Sequence, residues 1–161
     1  MANDFGIEVD SADARRKMEQ VARDLYGAPM VAAFQRASAL VARDAKINAP
    51  RNIGTLSASI TAAIEADPET IQGIVGSNLA YAPHMEFGTG TFAGKSPHYP
   101  PAAALDVWAQ RHGFSSGAVV ARIIGRRGGL APRKYLTNAL EANRAQVTAT
   151  IENAVQEITQ K

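Results

Sequence analysis

The stretch Val75-Gly76-Ser77-Asn78-Leu79-Ala80-Tyr81-Ala82-Pro83-His84-Met85-Glu86-Phe87-Gly88-Thr89-Gly90 constrains this chain more than any other. It begins where a strand pattern ends, passes through a short aromatic and apolar turn, and leaves through Gly88 and Gly90. Glycine reaches backbone angles closed to other residues, so such an exit marks an abrupt change of direction. A structural hinge is expected here rather than a catalytic loop.

The residues before the hinge alternate between two periods. Phe5, Ile7 and Val9 interleave with Glu8 and Asp10, the pattern of a half-buried strand. Asp10 or Ser11 can cap a helix whose apolar face carries Ala14, Met18, Val21, Ala22 and Leu25, stopped by Gly27. Pro29 suits the start of a second helix with Met30, Phe34, Ala37, Val41 and Ala45 on one face. That helix must end near Asn48-Ala49, because Pro50 pushes its predecessor out of helical geometry. Residues 53–56 read as a turn, and residues 57–65 as a strand with Ala58, Ile60, Ala62 and Ile64 on one face. Asp67-Pro68-Glu69 is turn chemistry, and residues 70–76 complete an antiparallel hairpin through Ile71, Ile74 and Val75.

Beyond the hinge, Gly94, Pro97, Pro100 and Pro101 exclude regular structure up to residue 101. A short helix around Leu105 and Trp108 closes at Gly113. Ser115 or Ser116 can cap the next, which carries Val119, Val120, Ile123 and Ile124 and ends at Gly125, Gly128 and Gly129. After an extended segment at 131–136, a long helix runs over about 136–159. Leu136, Leu140, Val147, Ile151, Val155 and Ile158 form its buried stripe, with Asn143 as a polar interruption. The expected fold is α+β: an antiparallel β-sheet, made of the N-terminal strand plus the central hairpin, packed against long helices. One domain spans 1–161, with a loop and helical insertion at 89–131 within it.

Only 6% of residues are aromatic, so the core must rest on Ala, Val, Ile and Leu. With no cysteine, disulfides, thiolate metal sites and thiol catalysis are excluded together. No apolar run approaches the roughly 20 residues of a membrane helix, and the N-terminus lacks the blocks of a signal peptide. A soluble, unexported protein without membrane contact is expected. Net charge is +2, yet residues 107–140 hold no acid and six cations, Arg111, Arg122, Arg126, Arg127, Arg133 and Lys134, which leaves the rest of the chain at −4. Such segregation suits a nucleic-acid surface or a contact between unlike faces of neighbouring subunits.

Chemistry-bearing patterns are weak. His84, His98 and His112 lack helical metal-ligand spacing, and no nucleophile-elbow GxSxG occurs. Glu86 beside Phe87 reads as a partly buried acceptor for nearby backbone, in preference to a carboxyl acid with a raised pKa. Gly88-Thr89-Gly90 lacks the GK[ST] ending of a phosphate loop. Residues 102–127 resemble a helix-turn-helix, but Ser116-Gly117-Ala118-Val119-Val120 is too small and apolar to read bases, leaving phosphate contact by the arginines. No catalytic, cofactor-binding or metal-binding residue is assigned, and no cofactor is expected.

Three segments carry a resemblance. Ile47-Asn48-Ala49-Pro50 with Gly54-Thr55-Leu56-Ser57-Ala58-Ser59-Ile60 resembles the "aPvdTGxLrxSI" segment of a bacteriophage neck family, with Ser57 in place of its basic residue. Val75-Gly76 with residues 81–89 resembles "vGxxxxYAxxvEfGT", the most specific of the three. Residues 131–140 resemble "arPFlrpAl", with Lys134-Tyr135 where that family has proline and phenylalanine. Residues 99–128 resemble the insertion of its longer members. These are head-tail joining or tail-completion proteins of tailed phages.

The resemblance implies an α+β fold, no catalysis, and a structural virion protein in the neck, made in the host cytoplasm. It further implies a homo-oligomeric ring coaxial with the DNA channel, a hexamer in preference to a dodecamer. The axial partners would be neck proteins on the connector or portal side and on the tail-tube side, with packaged DNA in the lumen contacted without sequence reading. Tyr81, Glu86, Phe87, Gly88 and Thr89 form the hinge motif, with Tyr81 and Phe87 expected to anchor it in the core. Arg111, Arg122, Arg126, Arg127, Arg133 and Lys134 are the expected intersubunit or channel contacts. The alternative is a small basic nucleic-acid-binding protein using residues 111–134.

Overall fold

The computed structural model describes residues 11–52 and 54–160. The strand expected at residues 5–10 lies outside the described residues.

Helix α1 spans Ser11–Leu25, with Asp13 in its first turn where a carboxylate favours the helix dipole. Gly27 follows, where a side chain would meet the Arg23 carbonyl oxygen at 2.6 Å. Helix α2 spans Ala28–Asn48. Its last hydrogen bond, from the Ala49 amide to the Ala45 carbonyl at 2.9 Å, leads directly into Pro50.

The strand expected over 57–65 begins later. Residues Thr55–Ser59 form a short helix, α3, and strand β1 spans only Ile60–Ala66. Gly54 opens the helical turn from a left-handed conformation (φ 80°), and its carbonyl accepts the Ala58 amide at 2.9 Å. The Ser59 hydroxyl donates to the Leu56 carbonyl, and the Ser57 hydroxyl to the Lys46 carbonyl. Serines that satisfy backbone in this way favour turns over strands, and the β-branched residues begin at Ile60. The expected apolar face is correspondingly reduced: Ile60 is buried and Ile64 half-buried, while Ala58 and Ala62 are exposed.

Strand β2 spans Ile71–Ser77 and pairs with β1 in a two-stranded sheet. Asp67 shapes the connection by accepting the Glu69 and Thr70 amides at 2.8 Å on one carboxylate oxygen. A hydroxyl–hydroxyl bond between Ser59 and Ser77 (2.7 Å) fastens the opposite end. Gly73 lets this hairpin lie close on α2, since a Cβ there would collide with the Ser38 hydroxyl.

After the hairpin come α4 (Ala82–Phe87), a 3-10 turn at Gly90–Ala93, another at Ala102–Leu105, α5 (Asp106–Arg111), α6 (Gly117–Arg126) and α7 (Tyr135–Thr159). Ser116 sits at the N-cap of α6 but makes no side-chain cap. Asp106 supplies it instead, accepting the Gly117 amide at 2.7 Å across eleven positions of sequence. In the second half of α7 the expected stripe holds, with Ile158 buried and Ile151 and Val155 packed beside it, whereas in the first half Leu140 is exposed and Tyr135, Ala139 and Asn143 are buried. Asn143 sets this phase, donating to Asp44 Oδ2 and to the Ala139 carbonyl, both at 2.8 Å.

The described residues divide into two compact units, one of residues up to 39, Ala62–Ile74 and from 145 onward, the other of Leu40–Thr61 and Val75–Arg144. The first closes around Met30, Ala33, Ala154 and Ile158, with Val21, Leu25, Phe34, Ile71, Ile151 and Val155 packed against them. The second buries Ala45, Ala49, Leu56, Ile60, Ala82, Tyr135 and Ala139.

The Glu86 corner as candidate functional site

The hinge is helical at its centre. Pro83 stands in the first turn of α4, where its missing N–H costs nothing, and the Ala82 amide bonds the Leu79 carbonyl at 2.9 Å. Gly88 ends the helix at φ 76°, ψ −174°. A Cβ on it would lie 2.6 Å from the Leu130 carbonyl oxygen and 3.0 Å from Pro132, so this turn requires glycine for both conformation and space.

Glu86 is 2% exposed and caps another helix with its side chain. Oε2 accepts the Leu136 amide at 2.8 Å, and Oε1 accepts the Thr137 amide at 2.9 Å and the Thr137 hydroxyl at 2.6 Å. Those amides are the second and third of α7, whose first carbonyl acceptor is Lys134. Lys134 occupies the N-cap at φ 50°, and its ammonium side chain can accept no hydrogen bond from the helix amides. A carboxylate fifty residues earlier therefore does the work usually done by a local Ser, Asp or Asn. The expectation that Glu86 serves as a backbone acceptor holds, and the backbone it serves is remote in sequence.

The same contact is returned in the other direction. The Met85 and Glu86 carbonyls, at the unsatisfied end of α4, accept the Arg133 and Lys134 amides at 2.8 and 3.1 Å. Farther along, the Thr89 amide donates to the Leu130 carbonyl, and the Thr89 hydroxyl accepts the Leu130 amide, both at 2.9 Å. The Gly128 carbonyl accepts the Thr91 and His98 amides. From 86 with 134, through 89 with 130, to 91 with 128, the two segments run in opposite directions. Residues 128–134 thus form a strap along the corner and close the base of the 89–131 insertion. Gly90 and Gly128 permit the approach, because a Cβ on either would collide with the opposite segment.

Tyr81 and Phe87 do not anchor the corner in the core. They are 44% and 66% exposed, while the buried positions around them are Ala82, Glu86, Gly88, Thr89 and Gly90. The six-residue helix presents one face inward, and Glu86 takes it because its carboxylate meets the amides of α7. Phe87, about 100° further round the helix, is left facing outward. The aromatic that is buried is Tyr135, 1% exposed. Its hydroxyl has no hydrogen-bond partner among the described residues. Burial first, then the charges of Glu86 and Tyr81, raise it above the ordinary phenol pKa.

Arg111, Arg122, Arg126, Arg127, Arg133 and Lys134 are all exposed, and none has an ion-pair partner among the described residues. Arg122 and Arg126 lie one turn apart on α6, opposite the buried Gly117, Val120, Ala121 and Gly125. The packing beneath is tight: a Cβ on Gly125 would enter the Tyr99 ring. On α5, Trp108 stacks on His112 with ring centres 4.0 Å apart. His84 and His98 approach to 6.5 Å, and no group of three or more His, Cys, Asp or Glu able to hold a metal occurs among the described residues. No helix among them is long and apolar enough to cross a membrane. The arrangement brings the hinge residues together with the start of α7.

A family model described as "Bacteriophage HK97-gp10, putative tail-component" matches residues 12–88, from the start of α1 to the glycine that ends α4. No curated protein and no solved structure matches the chain.

Proposed function

We infer that this chain, whose residues 12–88 match the HK97-gp10-like family model of a phage tail component, is a structural, non-enzymatic virion protein of the neck. In this reading it forms a homo-oligomeric ring, six-fold in preference to twelve-fold, that joins or completes the tail at the head-tail interface. Its neighbours along the axis are the connector or portal side and the tail-tube side. The 89–131 insertion supplies contacts between subunits, and packaged DNA passes through the lumen without being read.

The observation that carries this reading is the construction of the Glu86 corner. A buried carboxylate and the strap 128–134 hold the corner from both sides, while Tyr81 and Phe87 remain exposed on it. An aromatic held on a rigid frame loses little entropy when a partner covers it, which is how a few residues dominate an interface. Assembly needs such a frame; a reaction would need convergent groups.

Two substitutions separate frame from contact. Glu86→Ala should weaken the fold and prevent capsids and tails from joining. Phe87→Ala should leave the melting temperature unchanged and still prevent joining, with both particles visible by electron microscopy. Normal infectious titre from both variants would sink the proposal. The six exposed cations support a second reading, a small nucleic-acid-binding protein. A salt-dependent shift of duplex DNA by a chain that stays monomeric would favour it.

A further inference from the structure

Charge is segregated along the chain in a way the corner does not use. Between residues 52 and 94 there is no lysine or arginine, and the acids are Glu65, Asp67, Glu69 and Glu86. Glu86 is committed to α7. The other three sit at the end of β1 and in the turn to β2, all exposed, and none has an ion-pair partner among the described residues. The insertion carries the opposite surface: Arg122, Arg126 and Arg127 project from α6 and its C-cap, exposed and equally unpaired. Val119 adds an apolar contact on the same side of that helix, 37% exposed.

We propose that the acidic tip of the β1–β2 hairpin of one copy docks on the α6 arginine face of the next copy. The proposal rests on the ring reading above and names the two unlike patches that a closed cyclic assembly needs. Head-to-tail closure requires that each subunit display both members of a complementary pair, and each subunit here displays a three-carboxylate patch and a three-guanidinium patch. Arginine suits the role, since its planar fork pairs with carboxylates through two parallel hydrogen bonds. The hairpin is suited as the inserted element. Its turn is locked by Asp67, and Gly73 seats it against Ser38 of α2, so the tip meets a partner as a fixed shape. Exposed pairs are individually weak and screened by salt, so the contact sets partner orientation and rate of closure more than its final strength.

The test uses charge reversal in the full-length chain, with assembly followed by sedimentation. Asp67 is left intact because its carboxylate builds the turn. E65K/E69K and R122E/R126E should each weaken self-association about tenfold or more, and raising the salt concentration should weaken the native chain likewise. Combining all four substitutions in one chain should restore association, which a merely unfolded variant cannot do. If R122E/R126E disrupts association while E65K/E69K does not, the hairpin is not the partner and the ring reading survives. If neither variant affects association and R122E/R126E alone loses duplex-DNA binding, the arginine face serves phosphates and the inference is overturned. A native chain that stays monomeric at tens of micromolar overturns the ring reading and this inference with it.

Discussion

The Met30 cluster and the Glu86 corner hold their parts of the chain by different means. Around Met30, Ala33, Ala154 and Ile158 the contacts are apolar, and small alanines let helix segments approach closely. Such packing is non-directional, and its strength follows the area removed from water. At the corner the contacts are hydrogen bonds of fixed geometry. One carboxylate accepts three donors, and two helix ends separated by fifty residues satisfy each other. Apolar packing tolerates a slightly different shape, whereas a buried polar network is either complete or costly. Where an assembly must present a surface in one orientation, the second kind of bonding is the better guarantee.

Breaking the network should cost most. Glu86→Ala removes three hydrogen bonds to a carboxylate and strands two helix-terminal amides, an expected loss of about 4 kcal/mol by urea unfolding. Hydrogen exchange should accelerate at Leu136 and Thr137 first. Glu86→Gln keeps one acceptor oxygen and should lose about half as much. In the apolar region, Met30→Ala should cost about 3 kcal/mol through lost burial and a residual cavity. Exchange at Leu136 and Thr137 should then follow only global unfolding. Equal loosening of the same amides by the two substitutions would mean that the corner and the Met30 cluster are not held independently.

The Asn143–Asp44 pair gives the comparison a pH dependence. The hydrogen bond from Asn143, followed by that from Arg43, holds the Asp44 carboxyl below its usual pKa. A folded-state pKa below the unfolded one means the contribution is present above the unfolded value and is lost as pH falls through the folded one. Asn143→Ala should therefore flatten the acid limb of a stability–pH curve and leave the region above neutrality unchanged in slope. The smallest effect is expected at Tyr135, whose buried hydroxyl has no partner among the described residues. Tyr135→Phe should change stability by no more than about 0.5 kcal/mol, or raise it, because no hydrogen bond is lost. It should also abolish any loss of stability at alkaline pH that follows from the raised phenol pKa.

Much of the helical framework could be read directly from residue order. The limits of α1 and α2 follow from Gly27, Pro29 and Pro50, which act on their immediate neighbours and owe nothing to tertiary context. The turn at Asp67-Pro68-Glu69 and the need for glycine at Gly88 are local in the same sense. The resemblance to phage tail components is likewise carried by short motifs, and the span matched by the family model ends at Gly88.

Tertiary structure alone decided which face each element turns inward. Alternation over residues 57–65 is compatible with a strand, yet serine bonds to the backbone convert its first part into α3. Leu140 fits a helical stripe as well as Ala139 does, until Asn143 finds Asp44 and rotates the choice. Ser116 looks like a cap, but Asp106 is the one that reaches the amide. At the corner, order along the chain makes Tyr81 and Phe87 the natural anchors and Glu86 a partly buried acceptor for nearby backbone. The structure keeps Glu86 as the acceptor, for remote backbone, and turns both rings outward, because the unsatisfied amides at the start of α7 attract a carboxylate more strongly than the small core attracts a ring. Local rules act between residues a few positions apart, whereas the partner that buries Glu86 arrives from fifty positions away.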